Sequence, residues 1–105
     1  MAPSDMSRRA PRVALLLDVE VIAISTRERI RGFTGNVSRT GCYVAAPKPF
    51  PNFAQVWVQL TKGGQRIEAE GSVAHSTAGE GMGISFEEVK PAHQAILDAW
   101  LAETG

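Results

Sequence analysis

Three arginines, Arg8, Arg9 and Arg12, crowd five positions near the start of the chain. A guanidinium is a planar fork of donors that fits phosphate oxygens and other paired acceptors. Three of them on a segment with no reason to pack repel one another until an anion arrives. The chemistry that follows is an anion clamp; a solvated basic tail is the plainer reading of the same residues. A second group is Asn36-Val37-Ser38-Arg39-Thr40-Gly41. Asn36 can offer a carbonyl oxygen to a base N–H, and the Ser38 hydroxyl can reach a phosphate. Gly41 lets the backbone turn sharply beside a ligand, by positive φ if the turn demands it. An ordinary turn between strands is again the plainer reading.

Other residues carry less chemistry. Cys42 is the only cysteine, which excludes an internal disulfide and a multi-cysteine zinc site. It reads as a small buried hydrophobe, with no arranged base to make it a nucleophile. His75 and His93 stand at no spacing that suits a metal. No acid–base or nucleophile pair is visible, so the expectation is a protein that is not an enzyme and needs no cofactor. Net charge is zero over 105 residues, but it is unevenly spread. Residues 1–39 carry a balance of +3 in which every cation is Arg, and residues 40–105 carry −3. A neutral total disfavours long polyanions, so a small anionic ligand is expected rather than a nucleic acid polymer.

Elements must position these groups. The length allows one domain, and 44% hydrophobic with 21% charged residues is ordinary globular composition. No apolar run approaches the ~18 residues of a membrane helix, and the N-terminus lacks the pattern of a secretory signal. A soluble, cytoplasmic protein with no membrane partner is expected. Met1 to Ser7 reads as a flexible tail, and Arg8 to Arg12 as a loop. Val13 to Ile24 alternates with period two, as a strand buried on one side does. Ser25 to Arg31 leads into a second strand reaching Val37, with Arg27, Arg29 and Arg31 on a solvated face. Cys42 to Ala46 is a short strand, and Pro47 to Asn52 a loop. Ala54, Val56, Val58 and Leu60 face inward, with Trp57 outward. Gly63-Gly64 marks a hairpin, and Ile67 to Val73 alternates after it. A turn over Ala78 to Gly81 leads to a last strand from Met82 to Phe86. Five or six short antiparallel strands at this spacing predict a small barrel or sandwich. Beyond Pro91 the period changes. Ile96 with Trp100 and Leu97 with Leu101 form an apolar stripe on a helix too short to be stable alone. It must dock on the strands, and Trp57 is expected beneath it.

Together the two polar groups resemble the signature of the PilZ domain family of bacterial cyclic di-GMP receptors. That signature is R-x-x-x-R before the first strand, then [D/N]-x-S-x-x-G. Here Arg8-Arg9-Ala10-Pro11-Arg12 is followed, after 23 residues, by Asn36-Val37-Ser38-Arg39-Thr40-Gly41. Gly81-Met82-Gly83-Ile84-Ser85-Phe86 is similar to the family's closing strand. The resemblance implies an all-β fold with a C-terminal helix, namely a six-stranded antiparallel barrel over about residues 13–89 and a helix over about 91–103, with the domain running from 8 to 105. It implies that Arg8 and Arg12 grip phosphate and the guanine Hoogsteen edge, with Arg9 adding to the clamp. It further implies that Asn36 accepts from the guanine Watson–Crick edge, that Ser38 supports phosphate and that Gly41 allows the turn. His75 stands where many members carry an aromatic that abuts the ligand. Ser7, rather than a third consecutive arginine, precedes the motif, which favours one bound molecule over a stacked pair.

The resemblance therefore implies a non-catalytic cyclic di-GMP receptor whose ligand orders the arginine segment and changes the surface shown to a downstream protein. One alternative is an adaptor of the same fold that binds protein and no nucleotide, through Trp57 and the helix. Another is a small barrel for single-stranded nucleic acid, which the neutral charge and the lack of aromatics in a basic patch weigh against.

Overall fold

Runs of alternating apolar residues separated by short Gly-containing turns are what a closed antiparallel sheet requires, with one face of every strand turned to a shared core. The computed structural model describes residues 12–104. The expected tail and the arginines Arg8 and Arg9 lie outside that range. The strands are β1 (Asp18–Ala23), β2 (Arg29–Ser38), β3 (Gly41–Ala45), β4 (Gln55–Lys62), β5 (Gln65–Thr77) and β6 (Gly81–Val89), followed by α1 (Pro91–Thr104). They form a closed six-stranded antiparallel barrel in the order β1-β2-β3-β6-β5-β4. The barrel consists of two meanders, β1 to β3 and β4 to β6. Two seams join them, β3 against β6 and β1 against β4.

The inward residues are those the alternation selects. Leu17, just before β1, and Val19, Val21 and Ala23 within it meet Val56, Val58 and Leu60 of β4, with Val37, Val44, Val73 and Ile84 closing the core. Cys42 is fully buried among them. The Gly63-Gly64 turn has φ of 53° and 88°. Two positive φ values at the centre of a two-residue hairpin fit its twist to that of the strands.

Three expectations change in detail. The first strand begins at Asp18, not Val13. The Thr34 hydroxyl accepts a hydrogen bond from Leu17 N at 2.9 Å and donates one to Leu15 O at 2.6 Å, which interrupts the ladder; a single bridge between Val13 and Val37 continues it. Arg27 lies in the preceding turn with φ of 66°, off the face that carries Arg29 and Arg31. Those two are not merely solvated. Both donate to Glu20, at 3.1 and 3.0 Å, and the Arg31 hydrogen bond chiefly holds the Glu20 carboxyl below its usual value. The last strand runs on to Val89.

The helix docks as the stripe requires. Leu97 and Trp100 are buried in the core, and Ile96 and Leu101 pack against it half-buried. Polar ties fix it to two turns of one barrel end: Arg39 to Asp98 at 2.8 Å, Lys62 to Glu103 at 3.0 Å, and Trp100 Nε1 donating to Gln65 Oε1 at 3.2 Å. Trp57 is half-buried and borders a cleft with Lys90 and His93 at the start of the helix. Hydrogen bonds from Arg39, and secondarily from Gln94, hold the Asp98 carboxyl below its usual value. A depressed carboxylate contributes stability above its unfolded value and loses it as pH falls through the folded one. Asp98→Asn should therefore lower stability slightly at neutral pH, and the gap from the parent should close in the acid range below the ordinary Asp value of 3.8. Denaturant unfolding at several pH values measures it; a pH-independent gap would show that the charge of Asp98 is not what it contributes.

Candidate functional site

β2 and β3 meet at a tight turn in which only Arg39 and Thr40 leave the strands. Asn36, Val37 and Ser38 complete β2, and Gly41 opens β3. The expected turn is thus shorter than the six-residue motif, and most of the motif is strand. Ser38 is buried, and its Oγ accepts from Thr40 N at 3.1 Å while lying 3.3 Å from Thr40 Oγ1. The hydroxyl therefore braces the turn as well as facing the cleft beside it. Gly41 is needed for another reason than positive φ, since its backbone is not left-handed. A Cβ placed there would stand 2.2 Å from Ile84 O of β6, so only glycine lets the two strands approach.

Arg12 lies beside this turn. Its Nη1 donates to Asn36 Oδ1 at 2.6 Å, so Asn36 orients the guanidinium instead of facing solvent alone. Across the β3–β6 seam, His75 of β5 pairs with Gly83 of β6. The imidazole lies over that glycine, where a Cβ would come 2.7 Å from His75 Cε1. His75 is exposed and makes no side-chain hydrogen bond among the described residues, which leaves its ring free to stack.

These groups border one cleft of about 350 Å³, lined by Arg12, Ser38, Thr40, His75, Gly83 and Ser85 together with Ala74 and Ile84. Among the described residues no carboxylate lines it, and Arg12 gives it positive charge. Beneath the cleft Cys42 pairs with Ile84. Burial pushes its thiol up to about 12 despite the nearby Arg12, which disfavours the thiolate a nucleophile needs. Of the residues expected from sequence, Arg12, Asn36, Ser38 and His75 come together here, and Gly41 lies behind them. Arg8 and Arg9 are outside the described residues. Sequence reasoning missed Thr40, Gly83 and Ser85. Thr40 sits inside the motif it quoted, and Gly83 with Ser85 alternates outward along the closing strand. Among the described residues no cluster of His, Cys, Asp or Glu could hold a metal, and no helix is long and apolar enough to cross a membrane.

The family model for the PilZ domain matches residues 6–103, a span that includes the arginine segment, the barrel and the helix. The chain is a PilZ domain. Solved structures with the same fold include the inhibitor of motility MotI/DgrA of Bacillus subtilis, at TM-score 0.77 and 20% identity over 91% of this chain. This chain spans half the length of that protein. The PilZ domain of CeSA from a cellulose-synthesising bacterium matches at TM-score 0.67 and 16% identity, over 87% of this chain and 94% of the other. Comparison with curated proteins by sequence gives no match. PilZ domains serve as receptor and adaptor modules, and the barrel with its docked helix is the architecture this one shares with both solved structures.

Proposed function

We propose that this PilZ domain is a non-catalytic receptor for cyclic di-GMP. The observation that carries the reading is the meeting of Arg12, Ser38 and His75 in one cleft that no carboxylate among the described residues lines, with Asn36 holding the Arg12 guanidinium. The ligand is a dianion with two guanines. A guanidinium answers both features, since guanine O6 and N7 form an acceptor pair and each phosphate carries charge. In this reading Arg8, Arg9 and Arg12 clamp phosphate and a guanine edge. Asn36 keeps its amide beside the base, the Ser38 hydroxyl faces phosphate, and the His75 ring stacks. Gly41 keeps β3 and β6 close enough to floor the cleft. The ligand draws the residue 7–12 segment against the barrel and so changes the surface offered to a downstream protein.

Calorimetric titration of the full chain with cyclic di-GMP tests this, with GTP and the linear dinucleotide as controls. Saturable binding of the cyclic ligand, with much weaker heats from the controls, is the expected result. No binding at millimolar cyclic di-GMP would leave the chain as a nucleotide-independent member of the family.

A further inference from the structure

Tyr43 is the one tyrosine of the chain. Its neighbours on β3, Cys42 and Val44, are both in the core, so its own side chain is on the outer face. The register sets it between residues of the candidate site: Asn36 of β2 on one side, and Gly83 of β6 on the other, with His75 of β5 beyond. The phenol leans along β6 to the next outward position. A Cβ at Gly81 would stand 2.7 Å from the Tyr43 hydroxyl oxygen and 2.9 Å from Cζ, so the head of the tyrosine fills the space of the side chain that Gly81 lacks. The His75 imidazole does the same at Gly83. Met82 and Ile84 are in the core, so Gly81 and Gly83 share the outer face. They stand about 7 Å apart at the usual rise of a strand. Two rings, one reaching from β3 and one from β5, thus rest on neighbouring glycines of one strand. Glycine inside a strand weakens it and marks a place of close approach. The tyrosine ring is half-buried, and its hydroxyl makes no hydrogen bond among the described residues. No described polar side-chain atom is buried without a partner, so that oxygen is open to the surface.

On the cyclic di-GMP reading, on which this inference rests, we propose that the Tyr43 hydroxyl donates to the edge of the base that stacks on His75. Stacking alone accepts any base, because every base has a π-face. It also leaves the base free to slide and turn in its own plane. A hydrogen bond at the rim removes that freedom. Guanine offers O6 and N7 there as acceptors, and a phenol O–H is a donor. The neighbouring rows fix the direction. Ser38, Gly41 and Ser85 pair in the outward row on the other side of His75 and Gly83, and Ser38 faces phosphate in this reading. The phosphate end of the ligand therefore lies toward Ser85, and the rim of the base farthest from its sugar points toward Gly81, where the Tyr43 hydroxyl stands. Asn36, on the strand beside Tyr43, holds Arg12, so the fork and the phenol approach the ligand from the same side of the cleft.

The test uses the full chain in two measurements. With tyrosine isotope-labelled in its ring, Tyr43 alone gives the ring resonances, and saturating cyclic di-GMP should shift them. Tyr43→Phe keeps the ring on Gly81 and removes only the donor. Calorimetry should show it binding cyclic di-GMP about three- to tenfold more weakly than the parent, as loss of one neutral hydrogen bond does. Its melting temperature without ligand should match the parent's. Unmoved ring resonances at saturation, or parental affinity in Tyr43→Phe, would overturn the assignment of Tyr43 and leave the receptor reading standing. A parent that gives no binding in the same calorimetry would remove both.

Discussion

Gly41→Val should lose about 3 kcal/mol or more of folding stability, the upper range for forcing atoms into a packed site, and cyclic di-GMP binding with it. The cause lies across the β3–β6 seam. A Cβ at Gly41 would overlap the carbonyl oxygen of Ile84, and a backbone atom in a ladder cannot swing aside as a side chain does. The seam must open, and it floors the candidate cleft. Gly41→Ala already carries the offending atom, so it should lose much of the same stability, while valine adds bulk on both sides. Denaturant unfolding of the three proteins measures the series. If Gly41→Ala matched the parent, the strands would not approach as closely as the structure has them.

Arg12→Ala should weaken cyclic di-GMP binding roughly 10- to 150-fold, the loss of ~1.5–3 kcal/mol expected for hydrogen bonds from a charged donor. Stability should change little, because Arg12 is exposed and its one described side-chain bond is the surface contact with Asn36. Arg12→Lys separates charge from shape. A point charge retains attraction for phosphate but not the fork that grips a guanine edge, so it should recover only part of the loss. Calorimetry of both variants gives the answer, and an unaltered affinity in Arg12→Ala would remove Arg12 from the clamp.

The strands were legible because burial on one face writes itself as alternation, as in Val19, Val21 and Ala23 or Val56, Val58 and Leu60. The helix was legible through the spacing of Ile96, Leu97, Trp100 and Leu101. Where the reading missed, the deciding contact came from a distant part of the chain. Nothing near Val13 says that the Thr34 hydroxyl will take over the bonds of Leu15 and Leu17 and delay the strand to Asp18. The motif containing Gly41 announces a turn, yet its glycine answers to Ile84, which the sequence places far downstream. Arg29 and Arg31 look solvated until the register brings Glu20 between them. At the candidate site, residue types were legible and their grouping was not. The approach of His75 to Arg12 depends on the β3–β6 seam, while Thr40, Gly83 and Ser85 have no distinguishing chemistry until they share a wall.

The two-meander build of the barrel has a kinetic consequence. Hairpins within each meander join neighbours in sequence, and such local pairings form fast. Each seam instead joins strands with two others between them in sequence, so its loop-closure entropy must be met before its contacts contribute. Seam contacts are therefore late, and late contacts act on the unfolding rate far more than on the folding rate. Ser38 and Thr40 belong to the first meander and Arg12 to the segment leading into it, whereas His75, Gly83 and Ser85 belong to the second. A ligand held between them would staple the halves together after they have met. It would lengthen the lifetime of the folded barrel while leaving the speed of its assembly nearly untouched.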